Sequence, residues 1–98
     1  MEKRTAHCRL AVVKALVAEG KVGVTNAARQ GASAMGLEFS DILEVLIALT
    51  PADFYKSMTT YADHAVWQDV YQPRTKAGDV YLKLTVIADV LIVSFKEL

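Results

Sequence analysis

Cysteine is nearly missing from this chain. Cys8 stands alone among 98 residues, so no disulfide can form within it. Histidine is as scarce, with only His7 and His64, and no Cys/His spacing approaches that of a structural zinc site. Stability must come from a packed core, and a reducing cytoplasm suits such a chain. No stretch reaches the ~18 consecutive apolar residues of a membrane span. Met1-Glu2-Lys3-Arg4 leads into a mixed segment rather than a signal peptide, so neither membrane insertion nor export is expected. Gly-rich phosphate loops, paired-carboxylate motifs and metal signatures are absent too. A charge excess is also missing. Eleven Lys and Arg balance eleven Asp and Glu, which argues against a protein that holds nucleic acid chiefly by counterion release. A chain this short buries only about 60 to 65% of its unfolded surface, leaving room for one core and no cofactor cleft. Rossmann domains and barrels are excluded, and a single domain over residues 1–98 without a cofactor is expected.

With 53% apolar and 22% charged residues, the composition is that of an ordinary globule. Its charges are unevenly spread. Residues 1–30 carry Lys3, Arg4, Arg9, Lys14, Lys21 and Arg29 against Glu2 and Glu19, whereas residues 31–70 carry Lys56 alone against six carboxylates. An anionic ligand would have to be met by a local patch assembled in space. The first half reads as helices and the second as strands, the segregated order of an α+β domain. Leu10, Val13, Leu16 and Val17 mark a helix over 6–19, with Thr5 as N-cap and Gly20 as its stop. Thr25 opens a second helix over 26–35. Ser40-Asp41 caps a third, apolar almost all round from Ile42 to Leu49 and so expected to be the most buried. Thr50-Pro51-Ala52-Asp53 has the pattern of a capping box and predicts a helical turn carrying Phe54, Tyr55 and Lys56. The period then changes to two over 65–71, Pro73 closes that strand, and Gly78-Asp79 turns the chain.

The final hairpin, Val80 to Ile87 and Val90 to Lys96, permits a geometric inference. An even-length loop centred on Ala88-Asp89 pairs Leu82 with Phe95, Leu84 with Val93 and Val86 with Leu91 on an apolar side. The other side then has Tyr81 opposite Lys96, Lys83 opposite Ser94 and Thr85 opposite Ile92. A phenol and an ammonium would lie side by side at the end remote from the turn. An odd-length loop would destroy this pairing.

Few residues offer chemistry. Nothing requires His7 and His64 to meet, and each reads more readily as a packing or surface residue than as a catalytic one. Cys8 lies where a helix dipole would lower its pKa, but it lacks an indicated partner. What remains is a set of polar side chains in places where a small fold usually puts bland ones: Lys56, Gln68 within an apolar strand, and Tyr81 with Lys96 across the hairpin. Two ammonium groups, a phenol and an amide can hold and polarise a phosphodiester. Solvated lysines and packed aromatics are the plainer explanation.

Longer segments carry a resemblance. Asp53-Phe54-Tyr55-Lys56-Ser57-Met58-Thr59-Thr60-Tyr61, Trp67-Gln68-Asp69-Val70-Tyr71 with Pro73-Arg74, and Val80-Tyr81-Leu82-Lys83 through Val93-Ser94-Phe95-Lys96 make the chain similar to the MqsR family of messenger-RNA interferases, toxins of bacterial type II toxin-antitoxin modules. The resemblance runs over essentially the whole chain. It implies a RelE-like α+β fold, with N-terminal helices packed on a C-terminal antiparallel sheet. It also implies metal-independent cleavage of single-stranded mRNA at GC-containing sites such as GCU, in the cytoplasm, with Lys56, Gln68, Tyr81 and Lys96 as the catalytic set. Arg74, Tyr55 and Lys83 are candidate RNA contacts, and Tyr61, Trp67 and Tyr71 are further candidates for base stacking. Two lysines held close together depress each other's proton affinity, which would let one serve as base or acid. The implied partner is a zinc-containing helix-turn-helix antitoxin, so that DNA is met only indirectly. Cys8 and Ala88 depart from the family pattern, which has a histidine at the latter position. A non-enzymatic interaction module that docks through a sheet edge or the acidic stretch is the competing reading, and the neutral net charge suits it.

Overall fold

The computed structural model describes residues 1–98. In chain order the elements are β1 (Glu2–Lys3), α1 (Leu10–Ala18), β2 (Val22–Val24), α2 (Asn26–Ala34), α3 (Phe39–Ala48), a 3-10 turn (Pro51–Asp53), β3 (Phe54–Thr59), β4 (Trp67–Tyr71), β5 (Arg74–Thr75), β6 (Gly78–Ile87) and β7 (Asp89–Glu97). Six strands lie in the order β1-β3-β4-β6-β7-β2, and β5 pairs with the start of β6. The α+β class holds, but the sheet is neither wholly C-terminal nor wholly antiparallel. N-terminal strands border it on both sides, and β2 runs parallel to β7. Strands of two or three residues are too short to show a period, which is why β1, β2 and β5 leave no signal in the sequence.

All three helices cover one face. Val13 and Val17 of α1, Ala28 and Ala32 of α2, and Ile42 and Leu46 of α3 join Leu82, Leu84, Ile92 and Phe95 in one core. No helix is long and apolar enough to cross a membrane. The first helix begins at Leu10 rather than at residue 6, and Thr5 does not cap it. The backbone N–H groups of His7 and Cys8, which a longer helix would have absorbed, donate to the two carboxylate oxygens of Asp69 at 2.9 and 3.0 Å. The second helix follows expectation, with the Thr25 hydroxyl accepting the Ala28 N–H at 3.1 Å. In the third, Asp41 does not cap but sits three residues after the N-cap, Glu38, and accepts its backbone N–H at 2.8 Å. That helix buries a single face rather than being buried all round, since Ile47 is 47% exposed.

The capping signal at Thr50 is real. Asp53 accepts the Thr50 N–H at 2.8 Å, yet the helical turn stops at Asp53 and Phe54–Thr59 is a strand. Cross-strand partners decide the matter: Lys56 pairs with Val70 and Met58 with Gln68, while the Phe54 ring meets Tyr71 edge-on at 5.5 Å. The next strand is shorter than predicted, starting at Trp67, and Gly78-Asp79 begins β6 instead of turning the chain.

The hairpin is half as expected and half shifted. Tyr81↔Lys96, Leu82↔Phe95 and Lys83↔Ser94 pair as inferred. Nearer the tip, Leu84 faces Ile92, Thr85 faces Leu91 and Val86 faces Val90, so the inferred partners of Leu84, Thr85 and Val86 are wrong by one. The loop is in fact a single residue, Ala88, with φ 65°. A bulge at Val93 takes up the odd count and restores the expected register beyond it. Thr25 supports that bulge by donating its hydroxyl to the Val93 carbonyl at 3.2 Å. Through the shift Val90 and Ile92, rather than Leu91 and Val93, enter the core.

Two substitutions test this packing. Ala88 occupies the left-handed region that costs a non-glycine residue about 1–2 kcal/mol, so Ala88→Gly should stabilise the protein by about 1 kcal/mol in urea denaturation. A loss of stability would show that the tip is not strained. α2 lies so close to β7 that a Cβ on Gly31 would stand 1.9 Å from the Phe95 carbonyl oxygen. Gly31→Ala must push helix and strand apart, and a cost of about 1–3 kcal/mol is expected in the same assay.

Candidate active site

The face without helices carries the polar set. Along β6, Val80, Leu82 and Leu84 are buried against the helices, so Tyr81, Lys83 and Thr85 project to the other side. Register extends the argument across the sheet. Lys96 and Ser94 of β7 stand opposite Tyr81 and Lys83, and Val70 of β4 stands on the other flank of Lys83. Gln68, two residues from Val70, shares its side, as does Lys56 of β3, which pairs with Val70. Glu2 of β1 falls on the same face opposite Met58. The four residues singled out from the sequence therefore sit on four adjacent strands of one open face, with Lys83 among them. The Lys96 Nζ lies 5.4 Å from the centre of the Tyr81 ring and the Lys83 Nζ 6.0 Å from it.

These lysines are not electrostatically alike. Lys56, whose side chain is 23% exposed, forms an ion pair with Glu2. The hydrogen bond that Lys56 donates to Glu2 holds the Lys56 pKa above the usual lysine value, and Lys56 in turn holds the Glu2 carboxyl below its own. The expected mutual depression therefore does not act on Lys56. It falls on Lys83, whose pKa is lowered first by burial and then by the Lys96 and Lys56 ammonium groups. The sequence offers Lys83 only as a candidate RNA contact, because the carboxylate that neutralises Lys56 comes from a strand with no sequence signal.

The other candidates divide. Tyr55 stands at a bulge in β3, 42% exposed, with its ring 5.4 Å from the Lys56 Nζ. Arg74 lies in the β5–β6 hairpin and pairs with Asp79, Nε to Oδ1 3.4 Å, with its side chain 89% exposed. Trp67 lies on the side of β4 that it shares with Asp69 and Tyr71, away from the polar set. His7, stacked at 5.5 Å, and the Lys3 ammonium at 4.1 Å lie against its ring. Tyr71 is a core residue, and burial pushes its pKa up to about 12. Burial also raises the Cys8 thiol, which lies before the helix instead of in its first turn. Tyr61 is fully exposed, and with Met58, His64, Gln68 and Lys83 it lines a groove of about 450 Å³ beside the polar set. His64 and Gln68 line the same groove, a placement that no spacing in the sequence indicates. Ala88 sits at the far end of the hairpin, roughly 20 Å from Tyr81 at about 3.3 Å per strand residue, so the departure there does not touch the set.

Because the Glu2 pKa is depressed and that of Lys56 raised, the pair contributes from above the ordinary carboxyl range up to the raised lysine value. It is lost as pH falls through the Glu2 value or rises through that of Lys56. Glu2→Gln removes the partner. The Lys56 midpoint in an NMR titration of the lysine side chains should then fall, and an unmoved midpoint would refute the pairing.

Comparison with known proteins agrees with the likeness carried by these segments. Residues 5–97 match the family described as "Motility quorum-sensing regulator, toxin of MqsA". The chain is 60% identical over 97 residues to the mRNA interferase toxin MqsR of Escherichia coli (strain K12), with 99% of each chain covered. A match of that length and identity places every strand of the open face within the shared region, and the chain belongs to the MqsR toxin family.

Proposed function

We propose that this chain is an endoribonuclease that cuts single-stranded mRNA at GC-containing sites such as GCU, without a metal ion. The observation that carries the reading is the convergence of Lys56, Gln68, Tyr81 and Lys96 on one helix-free face, in a chain closely similar to a protein called an mRNA interferase. RNA supplies its own nucleophile. The 2′-oxygen attacks the adjacent phosphorus, the bond to the 5′-oxygen breaks, and a cyclic phosphate and a 5′-hydroxyl result. The protein has to hold the 2′-oxygen in line and stabilise charge on the phosphate oxygens.

In this reading Lys56, kept protonated by Glu2, and Lys96 neutralise the phosphate. Gln68 orients it through its amide, and the Tyr81 phenol gives its proton to the departing 5′-oxygen while the Lys96 ammonium beside the ring steadies the phenolate. Tyr55, Lys83 and Arg74 contact the RNA. Tyr61 offers the groove a free aromatic surface on which a flanking base can stack. In the same reading a cytoplasmic antitoxin, a zinc-containing helix-turn-helix protein, restrains the enzyme.

The test is direct. Purified protein incubated with GCU-containing RNA in excess EDTA should yield defined fragments with cyclic phosphate and 5′-hydroxyl ends. Lys56→Ala and Tyr81→Phe should each slow cleavage by about 10²–10³-fold. RNA that stays intact, together with tight binding to a co-encoded protein, would favour the interaction module instead.

A further inference from the structure

The proton of the attacking 2′-hydroxyl has to go somewhere, and the groups of the open face narrow the choice. Lys56 is bound to the carboxylate of Glu2 and stays protonated. Tyr81 carries the proton that the leaving oxygen needs. Lys96 is exposed at the margin of the set, beside the Tyr81 ring.

Lys83 is placed differently. It lies half-buried on the central strand, flanked by Val70 and Ser94, neither of which can bear charge. It takes part in none of the ion pairs of the protein, which join Lys21 to Glu19, Lys56 to Glu2, Arg74 to Asp79 and Lys76 to Asp41. Its diagonal neighbours on the face are Gln68 and Lys96, and Tyr81 precedes it by two residues on its own strand. The titratable groups that face it are therefore Tyr81 from β6, Lys96 from β7, Lys56 with Glu2 from the β3 side, and Tyr61 and His64 across the shared groove. The carboxylate of that company is already committed to Lys56, so a half-buried amine beside two other ammonium groups releases its proton more readily than a solvated lysine does.

Resting on the ribonuclease reading above, we propose that Lys83 is the catalytic base: its neutral amine takes the 2′-hydroxyl proton as the 2′-oxygen bonds to phosphorus. The amine becomes an ammonium, the electron pair of the breaking P–O bond passes to the 5′-oxygen, and that oxygen takes the Tyr81 proton. Exchange with water resets both groups.

The experiment follows single-turnover cleavage of a GCU-containing oligonucleotide by the whole chain from about pH 6 to about pH 10, with Lys83→Arg and Lys83→Ala beside the unaltered protein. Affinity is measured separately on the same oligonucleotide bearing a 2′-deoxy sugar at the cut. The unaltered protein should show a rate that rises with pH and levels below the ordinary lysine value. Arginine keeps the positive charge but cannot release its proton. Lys83→Arg should therefore bind the uncleavable RNA as before, lose about 10²–10⁴-fold in rate and lose the rising limb. A Lys83→Arg protein that cuts at the original rate with the original pH profile overturns the proposal and leaves Lys83 as an RNA contact. A Lys83 midpoint at or above the ordinary lysine value in a side-chain NMR titration overturns it without reference to activity. Intact RNA with the unaltered protein at every pH overturns the ribonuclease reading itself.

Discussion

The Asp69 carboxylate is the constraint on which much of the molecule depends. It is 2% exposed, on the helix side of β4, and its charge is answered by the backbone N–H groups of His7 and Cys8 rather than by a cation. Charge-assisted bonds of this kind are roughly twice as strong as neutral ones, and leaving either partner buried alone costs free energy. By fixing residues 7 and 8 it sets where the first helix can start. It also brings the residues before them along the sheet edge, where Glu2 and Lys3 pair with Met58 and Ser57 and the Met1 ammonium donates to the Thr59 hydroxyl. The consequence surfaces on the opposite face, where Glu2 arrives beside Lys56. A buried carboxylate behind the sheet thus determines which lysine in front of it is neutralised.

Zero net charge leaves room for a local cluster of cations on one face of the sheet. Asp41 and Glu44 ride on α3, on the covered side of the sheet, where Lys76 answers Asp41 at 2.9 Å. Lys56, Lys83 and Lys96 lie on the bare side with Glu2 as the counter-charge of one of them. Such a cluster can meet an anion locally without a large positive excess over the whole protein. The neutral composition is as compatible with a cationic patch on one face as with an interaction module.

How much of this is legible in the sequence depends on the range of the forces involved. Periodicity and caps find the cores of α1, α2 and α3 and the long hairpin, because those signals are local. Thr50 and Asp53 show the limit: their capping geometry forms as read, yet pairing with Tyr71 and Val70 turns the next residues into a strand. The Tyr81–Lys96 juxtaposition comes out as counted only because the Val93 bulge offsets the odd, one-residue turn at Ala88. Its neighbours Lys56 and Gln68 join it through strand order, which no count supplies. The Glu2–Lys56 pair and the cover of His7 over Trp67 are less legible still, since each depends on a two-residue strand set in place from Asp69.

The Val93 bulge divides the hairpin into two stretches that answer to different demands. Toward the tip, pairing is governed by the one-residue turn at Ala88; toward the open end, by the partners that align Tyr81 with Lys96. The irregular carbonyl is tied off by Thr25, so the mismatch is confined to one place. A change at the tip can therefore be absorbed there while Tyr81 keeps its place opposite Lys96, much as a slip joint lets one length of pipe shift without turning the other.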